Sequence, residues 1–560
     1  MNINEDLLQF YVYRKLIKRK DVEDILAECK RLHTTARDYL LLKEITTETT
    51  ELEAVADYHC MPFVELDMLD INKELLDSFS FSLIKKYKFV PVTVEKTGTL
   101  IVAVGKPLDV CAISAISSCY SCPVDFILTP PTQIDRYIDS ITAVLSTSKA
   151  LSDLNSAKDE TLFAAQQTDV VSQPDDVINN PAVRLVDSII KEAIPYRASD
   201  IHIEPFEKKV KVRYRIDGDL QERADFPIES YAAICARIKI MAGLDIAEHR
   251  IPQDGRINLV IGGKEYDFRV SSLPTVFGEK FVIRILDKTS FHFTREDLGF
   301  TESENVLIDR MLARPHGIIL LTGPTGCGKS TTLYSFLKEL NDPKVNIITV
   351  EDPVEYTMMG INQTQVNNKA NLTFAATLRS ILRQDPDIIM VGEIRDEETA
   401  ETAVRAAITG HLVFSTLHTN DAPGAVLRLE DMGVEDYLVS DALVGVIAQR
   451  LVKRLCPACK KRGKTNAREM EILGISEPIS VFRPQGCQFC NNTGYKGRIA
   501  IHEIMYMNED MKACVETEKT LDSLREKAVE NGMVSLWDSA RSLVLKGVTS
   551  IQELMSLSVE

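Results

Sequence analysis

The stretch Gly317-Ile-Ile-Leu-Leu-Thr-Gly-Pro-Thr-Gly-Cys-Gly-Lys-Ser-Thr-Thr332 decides the fold. Its opening residues are an apolar run, as a strand covered on both faces requires. Gly323 to Ser330 then fit G-x-x-x-x-G-K-[ST], and helical text follows with apolar residues at Leu333, Phe336, Leu337 and Leu340. Strand before and helix after are the context that gives this pattern its meaning. The glycines let backbone N–H groups converge on phosphate oxygens, and the helix N-terminus adds the positive end of its dipole. The expected nucleotide cradle is Gly323, Pro324, Thr325, Gly326, Cys327, Gly328, Lys329, Ser330 and Thr331. Lys329 would reach the β- and γ-phosphates, and Ser330 would offer its hydroxyl to Mg²⁺. Asn367-Asn-Lys-Ala370 is not an N-K-x-D base reader, so ATP is the expected nucleotide.

Outward from the loop, residues 289–455 alternate short apolar strands with longer helical text. The strands are Ile318–Thr322, Asn346–Val350, Ile388–Val391 and Leu412–Ser415. This alternation predicts an α/β domain with a parallel sheet covered on both faces. Ligands of such sheets sit at the carboxyl ends of the strands. Two acidic strand ends emerge there, Glu351-Asp-Pro-Val-Glu355 and Gly392-Glu393-Ile-Arg-Asp396. Glu355 is the candidate to orient the attacking water. Glu393 is the candidate to order Mg²⁺ through water, because Gly392 stands where an Asp is usual. For Glu351 and Asp396 a structural role such as helix capping stays open. His411 and His418 bracket one apolar strand, seven residues apart. They either face phosphate or sit as satisfied core residues.

Cys327 carries two opposed expectations. A thiol at a helix N-terminus beside Lys329 feels positive potential, which lowers its pKa and makes it reactive. Alternatively it points into the sheet as a small apolar filler, as buried free cysteines do.

The whole chain has 560 residues, well beyond the roughly 250–300 that one core supports, so three or four domains are expected. Its net charge of -17 argues against a surface built to grip nucleic acid. No apolar run approaches a membrane span and the N-terminus lacks a signal-peptide pattern, so a cytoplasmic location is expected. Residues 1–145 mix helical stretches with short strands such as Leu100–Val104, broken at Gly105 and Pro107. Residues 146–178, rich in Ser, Thr, Asp and Gln, predict a linker. Residues 179–288 predict an α+β domain. It opens on a helix after Pro181, followed by strands Ile201–Glu204, Val210–Ile216, Arg256–Ile261 and Phe281–Leu286. Residues 491–560 are expected to be helical.

Twelve cysteines in a reducing compartment need an explanation. Four of them form Cys456-Pro-Ala-Cys459 and Cys487-Gln-Phe-Cys490, with 27 residues between the pairs. Four thiolates in this pattern fit a closed, structural Zn²⁺ site, which sets residues 456–490 apart as a module. A basic run surrounds the first pair: Arg450, Lys453, Arg454, Lys460, Lys461, Arg462 and Lys464. It either balances the charge of the metal centre or contacts an acidic partner or anionic lipid.

Together these residues resemble the secretion-superfamily ATPases that power type II secretion and type IV pilus assembly. The marks are the loop at 323–330, Thr349-Val-Glu-Asp-Pro-Val-Glu355, Leu378-Arg-Ser-Ile-Leu-Arg-Gln-Asp-Pro-Asp387, Gly392–Asp396 and the histidine stretch 409–419. Upstream lie Ala198-Ser-Asp-Ile-His-Ile-Glu-Pro205 and Arg250-Ile-Pro-Gln-Asp-Gly-Arg256. The resemblance implies a RecA-like ATPase domain preceded by a PAS-like domain and an N-terminal adaptor domain. It also implies a homohexamer, peripheral to the inner membrane, working with a platform protein and an adaptor. Glu355 would be the general base, Glu393 the Mg²⁺-ordering acid, and Arg256, Arg269 and Arg284 the arginines that close on phosphate. Lys329 and His418 complete the catalytic set. The tetracysteine module points to the assembly and export members of the family. Some members bind cyclic di-GMP in the N-terminal domain through repeated R-L-G positions. This chain reads Arg37-Asp-Tyr-Leu there, and no such site is expected. The alternative is a RecA-like DNA translocase, which would use the same loop and ring; the acidic charge weighs against it, and no nucleic-acid partner is expected. A non-catalytic nucleotide-responsive scaffold is disfavoured by the presence of both Lys329 and Glu355.

Overall fold

The structure, a computed structural model, describes residues 181–287, 294–517 and 520–557, together with 3–141 apart from 33–38 and scattered positions. The stretch 146–178 and Arg37 lie outside the described residues. The chain separates into two compact units, residues 1–261 with 268–285, and residues 262–267 with 286–560.

In the first unit, the N-terminal region holds a three-stranded sheet. Strand β1 (Phe89–Val94) pairs antiparallel with β2 (Leu100–Val104), which pairs parallel with β3 (Val124–Leu128). Helices Ile3–Tyr13 and Glu48–Tyr58 are tied by the buried Tyr11 hydroxyl, which donates to Glu51 at 2.6 Å.

The same unit also holds a six-stranded sheet in the order β6-β5-β4-β9-β8-β7. Its strands are β4 (Asp200–Pro205), β5 (Lys209–Ile216), β6 (Asp219–Pro227), β7 (Gln253–Ile261), β8 (Lys264–Thr275) and β9 (Gly278–Asp287). Strands β6 and β8 were not apparent in the sequence: β6 (DLQERADFP) has no apolar alternation and is half-exposed. Along β5 and β8 buried residues alternate with exposed or half-buried ones, so one face is core. Helix Pro181–Ala193 packs on that face, where the Tyr214 hydroxyl donates to the Ile189 carbonyl at 2.8 Å. Helix Tyr231–Ala242 approaches so closely that a Cβ on Gly255 would fall on the Ala242 carbonyl.

The second unit is built on a seven-stranded sheet in the order β12-β11-β13-β14-β10-β15-β18. Its strands are β10 (Gly317–Thr322), β11 (Ile347–Glu351), β12 (Asn362–Gln365), β13 (Ile388–Val391), β14 (Leu412–Leu417), β15 (Leu443–Leu455) and β18 (Tyr495–Tyr506). All pairings are parallel except β15 with β18. Strands β10, β11, β13 and β14 are buried at every position, and their residues divide by alternation between two cores. Ile318, Leu320, Ile348, Val350, Ile389 and Val413 join helices Phe374–Ile381, Glu397–Ile408 and Gly424–Asp431 on one face. Ile319, Leu321, Ile347, Met390 and Phe414 join helices Glu302–Leu312 and Lys329–Leu340 on the other. This two-sided burial is why the strands read as unbroken apolar runs. The result is a RecA-like parallel sheet.

The region expected to be helical after residue 490 opens instead with β18, whose 12 residues pair with β15 from Gly445↔Tyr506 to Leu455↔Tyr495. The cysteine module is thus carried at the tip of a long antiparallel hairpin. Within it β16 (Lys461–Lys464) pairs with β17 (Ser480–Arg483). Helix Ala467–Leu473 between them starts with an Asn466/Glu469 capping box, and Glu469 also accepts two bonds from Arg483, at 2.6 and 2.7 Å. The C-terminal helices Leu536–Leu545 and Ile551–Ser556 close a small separate core with Val452, Val481 and Ile501.

Candidate nucleotide and metal sites

The phosphate loop leaves β10 at its carboxyl end, where the strand's neighbours are β14 and β15 rather than β11. This is the switch point at which open α/β sheets bind ligands. Gly323, Gly326 and Gly328 all have positive φ, at 141°, 80° and 92°. Only glycine adopts such a run without strain, and the run turns successive amides toward one centre. The Lys329 ammonium donates to the loop's own carbonyls, Gly323 O at 2.7 Å and Pro324 O at 3.1 Å. Burial lowers its pKa, and Glu393 is among the charges acting on it. Ser330 is exposed at the first turn of the helix. Converging amides, a lysine and a free-facing hydroxyl are the donor set that a nucleotide triphosphate with Mg²⁺ needs.

Cys327 is 4% exposed and points beneath the loop: its Sγ lies 2.7 Å from where a Cβ on Gly323 would be. Burial raises its pKa and outweighs the lowering by Lys329 and Arg450. The expectation of a reactive, acidified thiol is therefore overturned, and the filler role holds.

Of the acids at the two strand ends, Glu351 and Asp396 take the structural roles left open for them. Glu351 is buried and accepts bonds from the Tyr334 hydroxyl, from Thr349 Oγ1 at 2.6 Å and from Gln363 Nε2 at 3.1 Å. It is a structural acid. The Tyr334 hydroxyl in turn accepts the backbone N–H of Glu355 at 3.2 Å, so the helix after the loop holds the segment that carries Glu355. Glu393 is paired with Arg395 and lies 3.5 Å from His418 Nε2. Asp396 caps helix Glu397–Ile408, accepting from Thr399 N at 2.8 Å. Of the two histidines, the exposed His418 comes to the acid. His411 is held by the Ala406 carbonyl, 2.9 Å from Nδ1.

Three residues near the loop were missed by motif reading. Gln449 and Arg450 lie on β15 just past its last pairing with β10, Thr322↔Ala448. Arg450, expected in a surface basic run, is buried: its guanidinium donates to Asn420 O at 3.1 Å and Asn420 Oδ1 at 3.2 Å. Tyr334 is the third. For Gln449 and Arg450 the sequence signal is a polar residue inside an otherwise apolar run, and Tyr334 carries no such signal.

The three predicted arginines belong to the other unit, where the six-stranded sheet brings them to one face. Arg256 alternates with buried Ile257, Arg269 with buried Phe268 and Val270, and Arg284 with buried Phe281 and Ile283. All three therefore lie on the face opposite the helices. On this face Arg284 Nε donates to Asp200 Oδ1 at 3.0 Å, and Glu204 accepts from Arg213 at 2.9 Å and pairs with Lys280 at 2.8 Å.

The four cysteines converge. Their sulfur atoms all lie within 4.8 Å of one another, with Cys456–Cys487 and Cys459–Cys490 at 3.8 Å and Cys487–Cys490 at 3.7 Å. A tetrahedral ion with Zn–S bonds of about 2.3 Å requires S···S edges near 3.8 Å, so the donor set fits Zn²⁺. Burial opposes ionisation of Cys490, but N–H donation from Cys487 at 3.2 Å and Gly494 at 3.1 Å outweighs it and brings the thiol down to about 7. Of the basic run, Lys460 donates to Gly547 O at 2.9 Å and Lys453 lies 3.8 Å from Glu553. Arg454, Lys461, Arg462 and Lys464 remain exposed.

Sheet order, glycine loop and strand-end acids define a P-loop ATPase of the RecA type. The chain matches the Type II/IV secretion system protein family over residues 175–556 and belongs to it. It is 50% identical over 394 residues to the type II secretion system protein E of Pseudomonas aeruginosa, covering 70% of this chain and 78% of that one. To the type IV pilus assembly ATPase PilB of Myxococcus xanthus it is 41% identical over 526 residues, 92% of each chain. The X-ray structure of the Legionella pneumophila ATPase DotB shares the fold, with a TM-score of 0.52 at 20% identity, covering 70% of this chain and 98% of that one. Residues 59–147 match the MshEN domain, a sharper likeness than the loose one expected of the N-terminal region. The named relatives are a type II secretion system protein and a type IV pilus assembly ATPase, and they lend no support to a DNA translocase. Among the described residues no helix is long and apolar enough to cross a membrane.

Proposed function

We propose that this chain hydrolyses ATP as a homohexamer to drive assembly of pilin or pseudopilin subunits, in type IV pilus biogenesis or type II secretion. It would work from the cytoplasmic side of the inner membrane, through a platform protein and an adaptor. What supports the enzymatic part is the glycine loop with Lys329, on which Glu393 acts, the approach of His418 to Glu393, and the bond from the Glu355 N–H to Tyr334 of the helix after the loop. The relatives' names, type II secretion protein E and type IV pilus assembly ATPase PilB, support the assembly role.

In this scheme the cradle from Gly323 to Thr331 binds the phosphates and Lys329 neutralises the β- and γ-oxygens. Mg²⁺, held by Ser330 and ordered by Glu393, would supply charge neutralisation at the transferring phosphoryl group. Glu355 takes the proton of the attacking water, and His418 reports the state of Glu393. Arg256, Arg269 and Arg284 stabilise developing charge; delivering them from another domain would couple its closure to turnover. The domains proposed are 1–145 as adaptor, 146–178 as linker, 179–288 as PAS-like domain and 289–455 as ATPase core. Residues 456–490 are the zinc module, in which Zn²⁺ supplies cross-linking rather than chemistry, and 491–560 complete the C-terminal part. The deciding experiment is Glu355→Gln, which is expected to bind ATP and Mg²⁺ normally while hydrolysis falls by ~10²–10⁴. Near-normal turnover by the purified variant would overturn the assignment.

A further inference from the structure

The phosphate loop is shaped from outside itself. Gln449, on the adjacent strand β15, is 1% exposed and uses one end of its side-chain amide on the loop and the other on the helix that follows. Nε2 donates to the Cys327 carbonyl at 2.7 Å, and Oε1 accepts from the Thr332 hydroxyl at 2.8 Å. The Cys327 carbonyl only accepts, so it fixes which end of the amide faces the loop, and the Thr332 hydroxyl holds the other end. Gln449 also sets two of the loop's glycines. A Cβ on Gly323 would fall on the Gln449 carbonyl oxygen, and one on Gly328 would lie 2.9 Å from Gln449 Nε2.

The carbonyl that Gln449 holds belongs to the peptide joining Cys327 to Gly328. In a planar trans peptide the C=O and N–H point in opposite directions. Pinning the Cys327 carbonyl under the loop therefore turns the Gly328 N–H to the other side, toward the cradle. Gly328, at φ 92°, is free to adopt either orientation on steric grounds. A flipped peptide would aim a carbonyl oxygen at phosphate, replacing attraction by repulsion. The side-chain amide that blocks this flip is buried and satisfied at both ends, and such bonds are costly to lose.

We propose that Gln449 is a positioning residue for nucleotide binding, holding the Cys327–Gly328 peptide in the orientation that presents its N–H to phosphate. The inference rests on the loop being the nucleotide site, so Lys329→Gln is measured in parallel. If Lys329→Gln binds nucleotide as wild type does, the site assignment falls and the inference with it.

The test is binding of a fluorescent ADP analogue with Mg²⁺ to the full chain. Gln449→Ala is expected to weaken binding about tenfold or more, the scale of one lost buried hydrogen bond. Gln449→Glu distinguishes positioning from mere packing. Ionised, it places a carboxylate against the Cys327 carbonyl; protonated, it donates as the amide does. Its affinity should therefore be weak at mildly alkaline pH and recover toward wild type as pH falls, while the wild type changes little. Affinity of Gln449→Glu that equals wild type throughout, or stays weak at every pH, overturns the proposal. Should the Gln449 variants fail to fold, Thr332→Val removes only the hydroxyl that holds the other end of the amide and is expected to weaken binding several-fold. Unchanged binding by folded Thr332→Val then overturns it.

Discussion

Tyr334→Phe removes one oxygen atom from the link between the phosphate-loop helix and the segment that carries Glu355. In the native protein that oxygen donates to the buried Glu351 carboxylate and accepts the Glu355 N–H at 3.2 Å. A bond to a charged group contributes about 1.5–3 kcal/mol. Glu351 keeps Thr349 at 2.6 Å and Gln363 at 3.1 Å, so its charge is not orphaned and the lower end applies. The phenyl ring retains its packing against the core of Phe336, Leu337 and Ile347. A stability loss of about 1.5 kcal/mol corresponds to a Tm lower by about 3–6 °C in a domain of this size. The larger effect should be kinetic. Releasing the Glu355 backbone should loosen the placement of the proposed general base, and even modest misplacement costs a factor of about 10 or more in kcat. Nucleotide affinity should stay within about twofold, because no cradle atom moves. The assay is steady-state phosphate release at saturating ATP beside nucleotide titration. If kcat holds while Tm falls, Tyr334 is only a structural tie. If affinity falls with kcat, the hydroxyl supports the loop and not the base.

Metal analysis of the wild type should find about one zinc per chain, and Cys459→Ser should lose it and raise amide exchange between residues 456 and 490 while nucleotide binding persists. Fully functional, zinc-free wild-type protein would refute the module. Maleimide should not inactivate the enzyme through Cys327, since burial keeps that thiol protonated and inaccessible. Nucleotide-protected modification mapped to Cys327 by peptide mass would contradict the buried placement. Arg284→Gln should leave Tm nearly unchanged, because the Arg284 side chain is 58% exposed and its ion pair with Asp200 is worth at most about 1 kcal/mol. Its turnover should nevertheless fall about tenfold or more if the arginine meets phosphate; wild-type turnover removes Arg284 from the catalytic set.

What the sequence determined by itself was local and periodic. The apolar run before Gly323, the glycine spacing and the helical text after Lys329 lie within one short stretch. Each follows from backbone sterics and two-sided burial, so the loop and the class of sheet were legible. The paired cysteines were legible for a similar reason: the C-x-x-C spacing that a tetrahedral ion would require is local. The tertiary structure alone decided which polar residues serve the site. Gln449 meets Thr332 and Cys327 across 117 and 122 positions, through a strand order that places β15 beside β10. Glu351 and Glu355 look alike as acids after one strand, yet the Tyr334 hydroxyl and Gln363 bury the first in hydrogen bonds and hold the second by its backbone. Arg450 reads as part of a basic run, but its register on β15 carries it under the loop to Asn420. Strand β18 hid in text expected to be helical because its pairing partner lies across the whole cysteine module. Side-chain roles of this kind depend on neighbours brought together by sheet order, and no local pattern encodes them.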